Sequence, residues 1–69
     1  MNDEVFNLSV RKFLKHFGVT AQREIERSIN EAVRSGKLRG SEDLSISARL
    51  SIDGVLSEHV VEGTVSLGD

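Results

Sequence analysis

The residue types most suggestive of catalysis stand together at Ser57-Glu58-His59, a nucleophile, a carboxylate and a base of the kind that hydrolases combine. Successive side chains of an extended strand point to opposite faces, so Glu58 points away from both neighbours. Ser57 and His59 then stand too far apart to share a hydrogen bond. The sequence has no Cys, and its two His, at positions 16 and 59, are too few for a structural zinc site. We therefore expect no catalytic, cofactor-binding or metal-binding residues and a protein that is not an enzyme.

Basic side chains in the first part of the chain could contact phosphate groups. Residues 1–40 carry eight Lys/Arg against five Asp/Glu, whereas residues 41–69 carry one Arg against six acids. Residues 36–41 (GKLRGS) lack the first glycine and the preceding strand of a phosphate-binding loop. Residues 18–20 (GVT) suit a helix-turn-helix turn, but the apolar residues after them are out of phase with that motif. With a net charge of −2, nucleic-acid binding is only the alternative function. Its contacts would be Arg11, Lys12, Lys15, Lys37 and Arg39.

Apolar residues in the first half of the chain recur with helical spacing and predict two amphipathic helices. The first spans 3–17, with Asn2 or Asp3 as its N-cap and Gly18 as the left-handed residue that ends it. The second spans 21–35, with Thr20 as its N-cap and Gly36 as the residue that ends it. Their apolar stripes are Phe6, Val10, Phe13, Leu14 and Phe17, and then Ala21, Ile25, Ile29, Ala32 and Val33.

Beyond residue 43 the apolar spacing changes to strict alternation, which is typical of half-buried strands. We predict strands over 44–52 and 59–67 that form an antiparallel hairpin. The fold is then α+β, of order α-α-β-β, in a single domain spanning 1–69. The expected core comprises Phe6, Val10, Phe13, Phe17, Ile25, Ile29, Val33, Leu44, Ile46, Leu50, Val61 and Val65.

Two registers of this hairpin are compatible with the sequence. The favoured register pairs Leu50 with Val61, matches polarity on both faces and leaves a long loop over 53–58. The alternative register turns tightly at Asp53-Gly54, which is a strong hairpin signal.

A chain of 69 residues without disulfides or a metal site needs another source of stability. A two-stranded sheet also leaves two unpaired edges. We therefore expect a homodimer, whose hairpins could join into a four-stranded sheet. The favoured function is a small non-enzymatic protein-interaction or adaptor domain with an unidentified protein partner. The candidate interaction residues are Val5 and Leu8 on the helical side, and Ser45, Ser47 and Arg49 on the polar face of the hairpin.

Five sequence words along the chain are similar to those of one family: RKFL at 11–14, GVT at 18–20, QREIE at 22–26, GKL at 36–38 and HVVEG at 59–63. The chain thus resembles a family of short uncharacterised bacterial proteins, classed as a domain of unknown function. The resemblance covers nearly the whole chain and implies a free-standing bacterial cytoplasmic protein, without assigning ligands or active residues. The acidic start, the absence of Cys and the lack of a long apolar run also predict a cytoplasmic protein without a membrane partner.

Overall fold

The computed structural model describes residues 1–68 of the chain. It contains helix α1 over Asp3–Arg34, strand β1 over Asp43–Ile52 and strand β2 over Leu56–Ser66. The α+β class and the antiparallel hairpin are confirmed, but the element order is α-β-β. The chain divides into two compact units, one holding the helix and the other holding the hairpin.

The predicted division into two helices, 3–17 and 21–35, is wrong because α1 is continuous. Gly18 has helical backbone geometry and lacks the positive φ of a helix-ending glycine. The Thr20 hydroxyl does not cap a second helix, and donates instead to the carbonyl oxygens of His16 (3.0 Å) and Phe17 (3.3 Å). A glycine within a helix costs only about 1 kcal/mol relative to alanine. The chain also has no proline, so the helix-forming residues on both sides of Gly18 decide the outcome.

The two ends of α1 are formed by residues that the sequence identifies. The side-chain oxygen of Asn2 accepts hydrogen bonds from the backbone N–H groups of Glu4 (3.0 Å) and Val5 (3.1 Å), as an N-cap does. At the other end, Gly36 has a φ of +86°, and its N–H donates to the carbonyl oxygen of Val33 at 3.2 Å. The roles expected of Asn2 and Gly36 are therefore confirmed.

The register of the hairpin matches neither of the two predicted alternatives. Val61 lies opposite Ala48 and not opposite Leu50, so the strands are shifted by two residues from the favoured pairing. Because side chains alternate with a period of two, this shift leaves every side chain on its predicted face. The apolar residues of β1 accordingly share one half-buried face, formed by Leu44, Ile46, Ala48 and Leu50.

The connection between the strands is shorter than the predicted loop over 53–58. Strand β2 begins opposite Ile52, three residues before the predicted strand 59–67. The Val55 N–H donates to the carbonyl oxygen of Ile52 at 3.0 Å. Between them, Gly54 has a φ of +74°, which the third residue of a type II turn requires. The Asp53-Gly54 signal thus locates the turn, and a bulge just before Ile52 sets a register that a two-residue turn would not give.

The prediction that the apolar side chains form a buried core is wrong, because no residue among 1–68 is buried. One helix or one two-stranded sheet cannot bury its own apolar face, which explains the outcome within each unit. The half-buried members of the predicted core are Ile25, Ile29, Leu44, Ile46, Leu50 and Val65. The exposed members are Phe6, Val10, Phe13, Phe17, Val33 and Val61.

Candidate interaction surface

Large apolar side chains in the first half of α1 form an exposed surface along one side of the helix. At about 100° per residue they fall within an arc roughly 100° wide. Their exposed fractions lie between 40% and 55%, and the rings of two of them stack with centroids 6.5 Å apart and planes within 10°. We call this surface the N-terminal stripe; its members are Phe6, Val10, Phe13, Leu14 and Phe17.

The N-terminal stripe is large for the surface of so small a chain. An aromatic side chain offers about 150–250 Å², so these exposed fractions correspond to roughly 450 Å² of apolar area. The largest apolar patch of a typical soluble monomer measures about 300–600 Å² and is often functional, and the stripe is of that size. The stripe is therefore the leading candidate for a contact surface. Sequence reasoning recognised these residues as one apolar stripe but placed all of them except Leu14 in a core.

The second half of α1 carries an apolar stripe on a different side of the helix. From Phe17 onward the apolar residues follow at steps of four, and each step advances the position around the helix by about 40°. The second stripe is consequently turned by roughly 90° from the N-terminal stripe. Its members Ala21, Ile25, Ile29 and Ala32 are half-buried, and only Val33 at its end is exposed. The N-terminal stripe, in contrast, is exposed along its whole length.

The two residues of the helix that were predicted to make contacts lie away from the N-terminal stripe. Val5 and Leu8 occupy the opposite side of α1, with exposed fractions of 60% and 63%. Val19 lies on the same side, but Lys12 stands between Leu8 and Val19 and interrupts the apolar surface. Val5 and Leu8 are thus exposed as expected, yet they form only a small patch.

The basic residues proposed for nucleic-acid contacts fall into two places. Arg11, Lys12 and Lys15 are exposed and lie within two turns of α1. Lys37 and Arg39 belong to the segment between α1 and β1, outside any helix or strand. Only the first three therefore share one helical surface.

The segment after α1 does gather backbone N–H groups around an anion, but that anion is the carboxylate of Glu42. Its two oxygens accept hydrogen bonds from the N–H groups of Arg39 (2.8 Å), Gly40 (2.9 Å) and Ser41 (3.1 Å). The bond from Arg39, supported by the other two, lowers the pKa of Glu42 to about 2. The carbonyl oxygen of Glu42 also accepts from the Leu67 N–H at 2.9 Å, which ties the segment to the open end of the hairpin. The N–H groups expected of a phosphate loop already have an acceptor within the chain.

The polar face of the hairpin presents the remaining predicted contact residues. Ser45, Ser47 and Arg49 are exposed on the face of β1 opposite its apolar residues, and Ser47 lies across from Glu62. A shallow open depression of about 550 Å³ lies beside the two serines, Glu62 and Gly63. In the described part of the chain the sheet has two strands, so the outer edge of each strand is free to pair.

The residues considered for catalysis form no assembled site. Ser57, Glu58 and His59 are consecutive and exposed on β2, where His59 faces Leu50 across the ladder. Residues 1–68 contain no cluster of three or more side chains suited to hold a metal ion. No helix within those residues has an apolar stretch that could cross a membrane.

Comparison with known proteins identifies the chain at the level of a family. The model of a family described as "Family of unknown function (DUF6494)" matches residues 1–68. No curated protein and no solved structure matches the chain. The family match confirms the resemblance carried by the five sequence words, and it brings no activity, ligand or partner with it.

Proposed function

The chain belongs to this family of unknown function, and we propose that it is a small non-enzymatic protein-interaction domain that self-associates. The observation that carries the proposal is the N-terminal stripe, with five large apolar side chains that are 40% to 55% exposed. The stripe provides the contact between copies. Val5 and Leu8, on the other side of the helix, remain accessible to a different protein partner, as an adaptor requires.

The size of the chain supports self-association as a source of stability. With 69 residues and no Cys, it depends on packing alone, and none of residues 1–68 is buried. Covering the roughly 450 Å² of the stripe at about 25 cal/mol per Å² yields on the order of 10 kcal/mol per chain. For two chains the gain is about 20 kcal/mol, which exceeds the roughly 4–15 kcal/mol that association costs in lost freedom of motion.

Sedimentation velocity at micromolar to tens of micromolar concentrations tests the proposal. We expect the natural chain to sediment as a dimer and Phe13→Gln to shift it to monomer, because Phe13 is central to the stripe. Leu8→Gln is the matched control: Leu8 is 63% exposed but lies outside the stripe. A natural chain that is monomeric at tens of micromolar would overturn the proposal. Equal loss of dimer in both variants would reject the stripe as the contact.

The free edges of the hairpin offer an alternative contact between copies, which would replace the contact through the stripe. Two hairpins that join edge to edge form a four-stranded sheet. The unpaired backbone N–H and C=O groups of one edge strand in each copy then form hydrogen bonds with the other copy. The serines of the outer face, Ser45 and Ser47, place no charge that would repel a second copy. Hydrogen exchange tests this alternative, since outer-edge amides of one strand should then be slow both in the natural dimer and in Phe13→Gln. Fast exchange at both edges of the dimer would contradict the four-stranded sheet.

Nucleic-acid binding remains the second candidate, because Arg11, Lys12 and Lys15 are exposed on one helical surface. Amide NMR shifts on addition of mixed DNA or RNA oligonucleotides at moderate salt test it. Shifts centred on these three residues, weakening steeply with salt, would favour this function. Unchanged spectra would exclude it under those conditions.

A further inference from the structure

On the basis of the proposed self-association, we propose that the N-terminal stripe binds the N-terminal stripe of a second copy with the helices antiparallel. In this pairing, Phe6 faces the partner's Phe17, and Val10 faces the partner's Phe13. The contact is confined to the first half of α1.

The spacing within the stripe supports this pairing. Phe6, Val10, Phe13 and Phe17 follow one another at steps of four, three and four, which is the spacing of a coiled-coil seam. The proposed antiparallel register fills every layer of the seam with apolar side chains and packs each Val10 against a larger Phe13, as interdigitating layers require. Sliding one helix by one heptad would instead bring Asp3 against the partner's Phe13, or Glu24 against the partner's Phe6.

The charges of the second half of α1 argue against a parallel pair. Continuing the seam along the helix reaches two ion pairs, Glu24 with Arg27 (2.9 Å) and Glu31 with Arg34 (3.4 Å). All four side chains are more than 60% exposed, so a parallel seam would have to strip them of water. Desolvation of ion pairs commonly costs more than their attraction returns. In the antiparallel register the contact ends before residue 21, and both ion pairs stay hydrated.

The surroundings of the stripe favour a second copy over a lipid surface. A helix that lies on a membrane places Lys and Arg beside its apolar face, where they reach the headgroups. Here the positions that flank the seam are occupied by Asn7, Ser9 and His16, whereas Lys12 and Lys15 lie on the far side of the helix. The absence of Lys, Arg, Asp and Glu from these flanking positions allows two identical helices to approach closely.

The area available predicts a dimer of moderate affinity. Two stripes together bury roughly 900 Å², and the flanking residues bring the contact toward the roughly 1,200 Å² at the low end of stable interfaces. Contacts at this end of the size range are found in weak or transient complexes.

Cross-linking of cysteine variants tests the orientation and register, since the natural chain has no Cys. In the proposed pair, Ser9 of one chain lies beside the partner's His16. We expect a mixture of Ser9→Cys and His16→Cys chains to be joined by a short bismaleimide more efficiently than either variant alone. Ser9 and the partner's His16 differ in level by about 3 Å along the helix axis, against about 7.5 Å for two Ser9 residues and about 13 Å for two His16 residues. A mixture of Leu8→Cys and Lys15→Cys is the matched control, at the same level of the pair but on the opposite side of the helix.

The possible results of these experiments distinguish failure of the antiparallel register from failure of self-association. Absence of the Ser9–His16 product in a chain that sediments as a dimer would overturn the antiparallel register and leave the proposed function standing. Cross-linking of the Leu8–Lys15 mixture would place the contact on the other side of α1 and would likewise overturn it. A monomeric chain that binds vesicles containing phosphatidylserine would overturn both the pairing and the proposed function.

Discussion

Val10 and Val19 provide a matched pair of substitutions for testing which side of α1 makes contact. The two valines have nearly equal exposed fractions, 40% and 43%, within the same helix. They are nine residues apart, which places them about 180° apart around the helix. Val10 belongs to the N-terminal stripe, whereas Val19 does not. Replacing each with Gln changes helix propensity and side-chain polarity in the same way at both positions.

The structure sets the size of the expected effect. Full burial of a valine contributes about 1.5–3 kcal/mol, so covering the exposed 40% of Val10 contributes roughly 1 kcal/mol per chain. Both copies lose this contribution in Val10→Gln, and the dimer is weakened by about 2 kcal/mol, or roughly 30-fold in dissociation constant. An unpaired Gln amide in the seam adds to this loss. Val19→Gln should leave the dissociation constant unchanged.

Sedimentation equilibrium measures the dissociation constants, and far-ultraviolet circular dichroism on the same samples reports helix content. Similar helix content in the two variants under conditions where both are monomeric would show that any difference in affinity arises from contact. A Val19→Gln effect as large as that of Val10→Gln would refute the assignment of the contact to the stripe.

Two further predictions concern the backbone of each unit. Gly18→Ala should stabilise α1 by about 1 kcal/mol, because Gly18 is helical and an added Cβ meets no atom within 4 Å; a lowered midpoint of thermal unfolding would contradict this. The pKa of Glu42 is lowered from 4.5 to about 2, so its carboxylate contributes fully to stability above its ordinary pKa, and this contribution is lost as the pH falls toward 2. NMR of the natural chain should show the amide signals of Gly40 and Ser41 moving over that acidic range. Glu42→Gln should lack this titration, and an identical titration in the variant would refute the role of the carboxylate.

The two glycines at positions 18 and 36 show how well a local sequence signal predicts the end of a helix. Gly18 and Gly36 look alike as helix-ending residues, yet only Gly36 has the left-handed backbone. Residues after Gly18 (VTAQREIER) can continue a helix, whereas those after Gly36 (KLRGSEDLS) include a second glycine and then a strand. A glycine therefore ends a helix where the following residues do not favour its continuation, and both sides must be weighed together.

The hairpin shows which structural features the alternation of apolar and polar residues can predict and which it cannot. Alternation assigned Leu44 and Leu50 to the apolar face correctly, because any register shift of two residues preserves the faces. The partner of Val61 depends instead on the turn at Gly54 and on the bulge before Ile52. Those features are local backbone conformations, and the alternating side-chain pattern is compatible with more than one of them.

The candidate surface was predictable in its residues but not in its role. Periodicity identified Phe6, Phe13 and Phe17 as one apolar face, and the structure shows that face exposed. The spacing of apolar residues identifies the apolar side of a helix, but it does not identify what packs against that side. The rotation between Phe17 and Ile25 places the two apolar stripes of α1 on different sides of the helix.

The unbroken length of α1 has a consequence for the geometry of the proposed pair. If two such helices overlap only over their first halves, each second half extends beyond the contact in the opposite direction. With a rise of about 1.5 Å per residue, the two Arg34 residues then lie about 70 Å apart. The assembly would act as a spacer that holds two identical attachment points at a set distance, and an interrupted helix could not maintain that span.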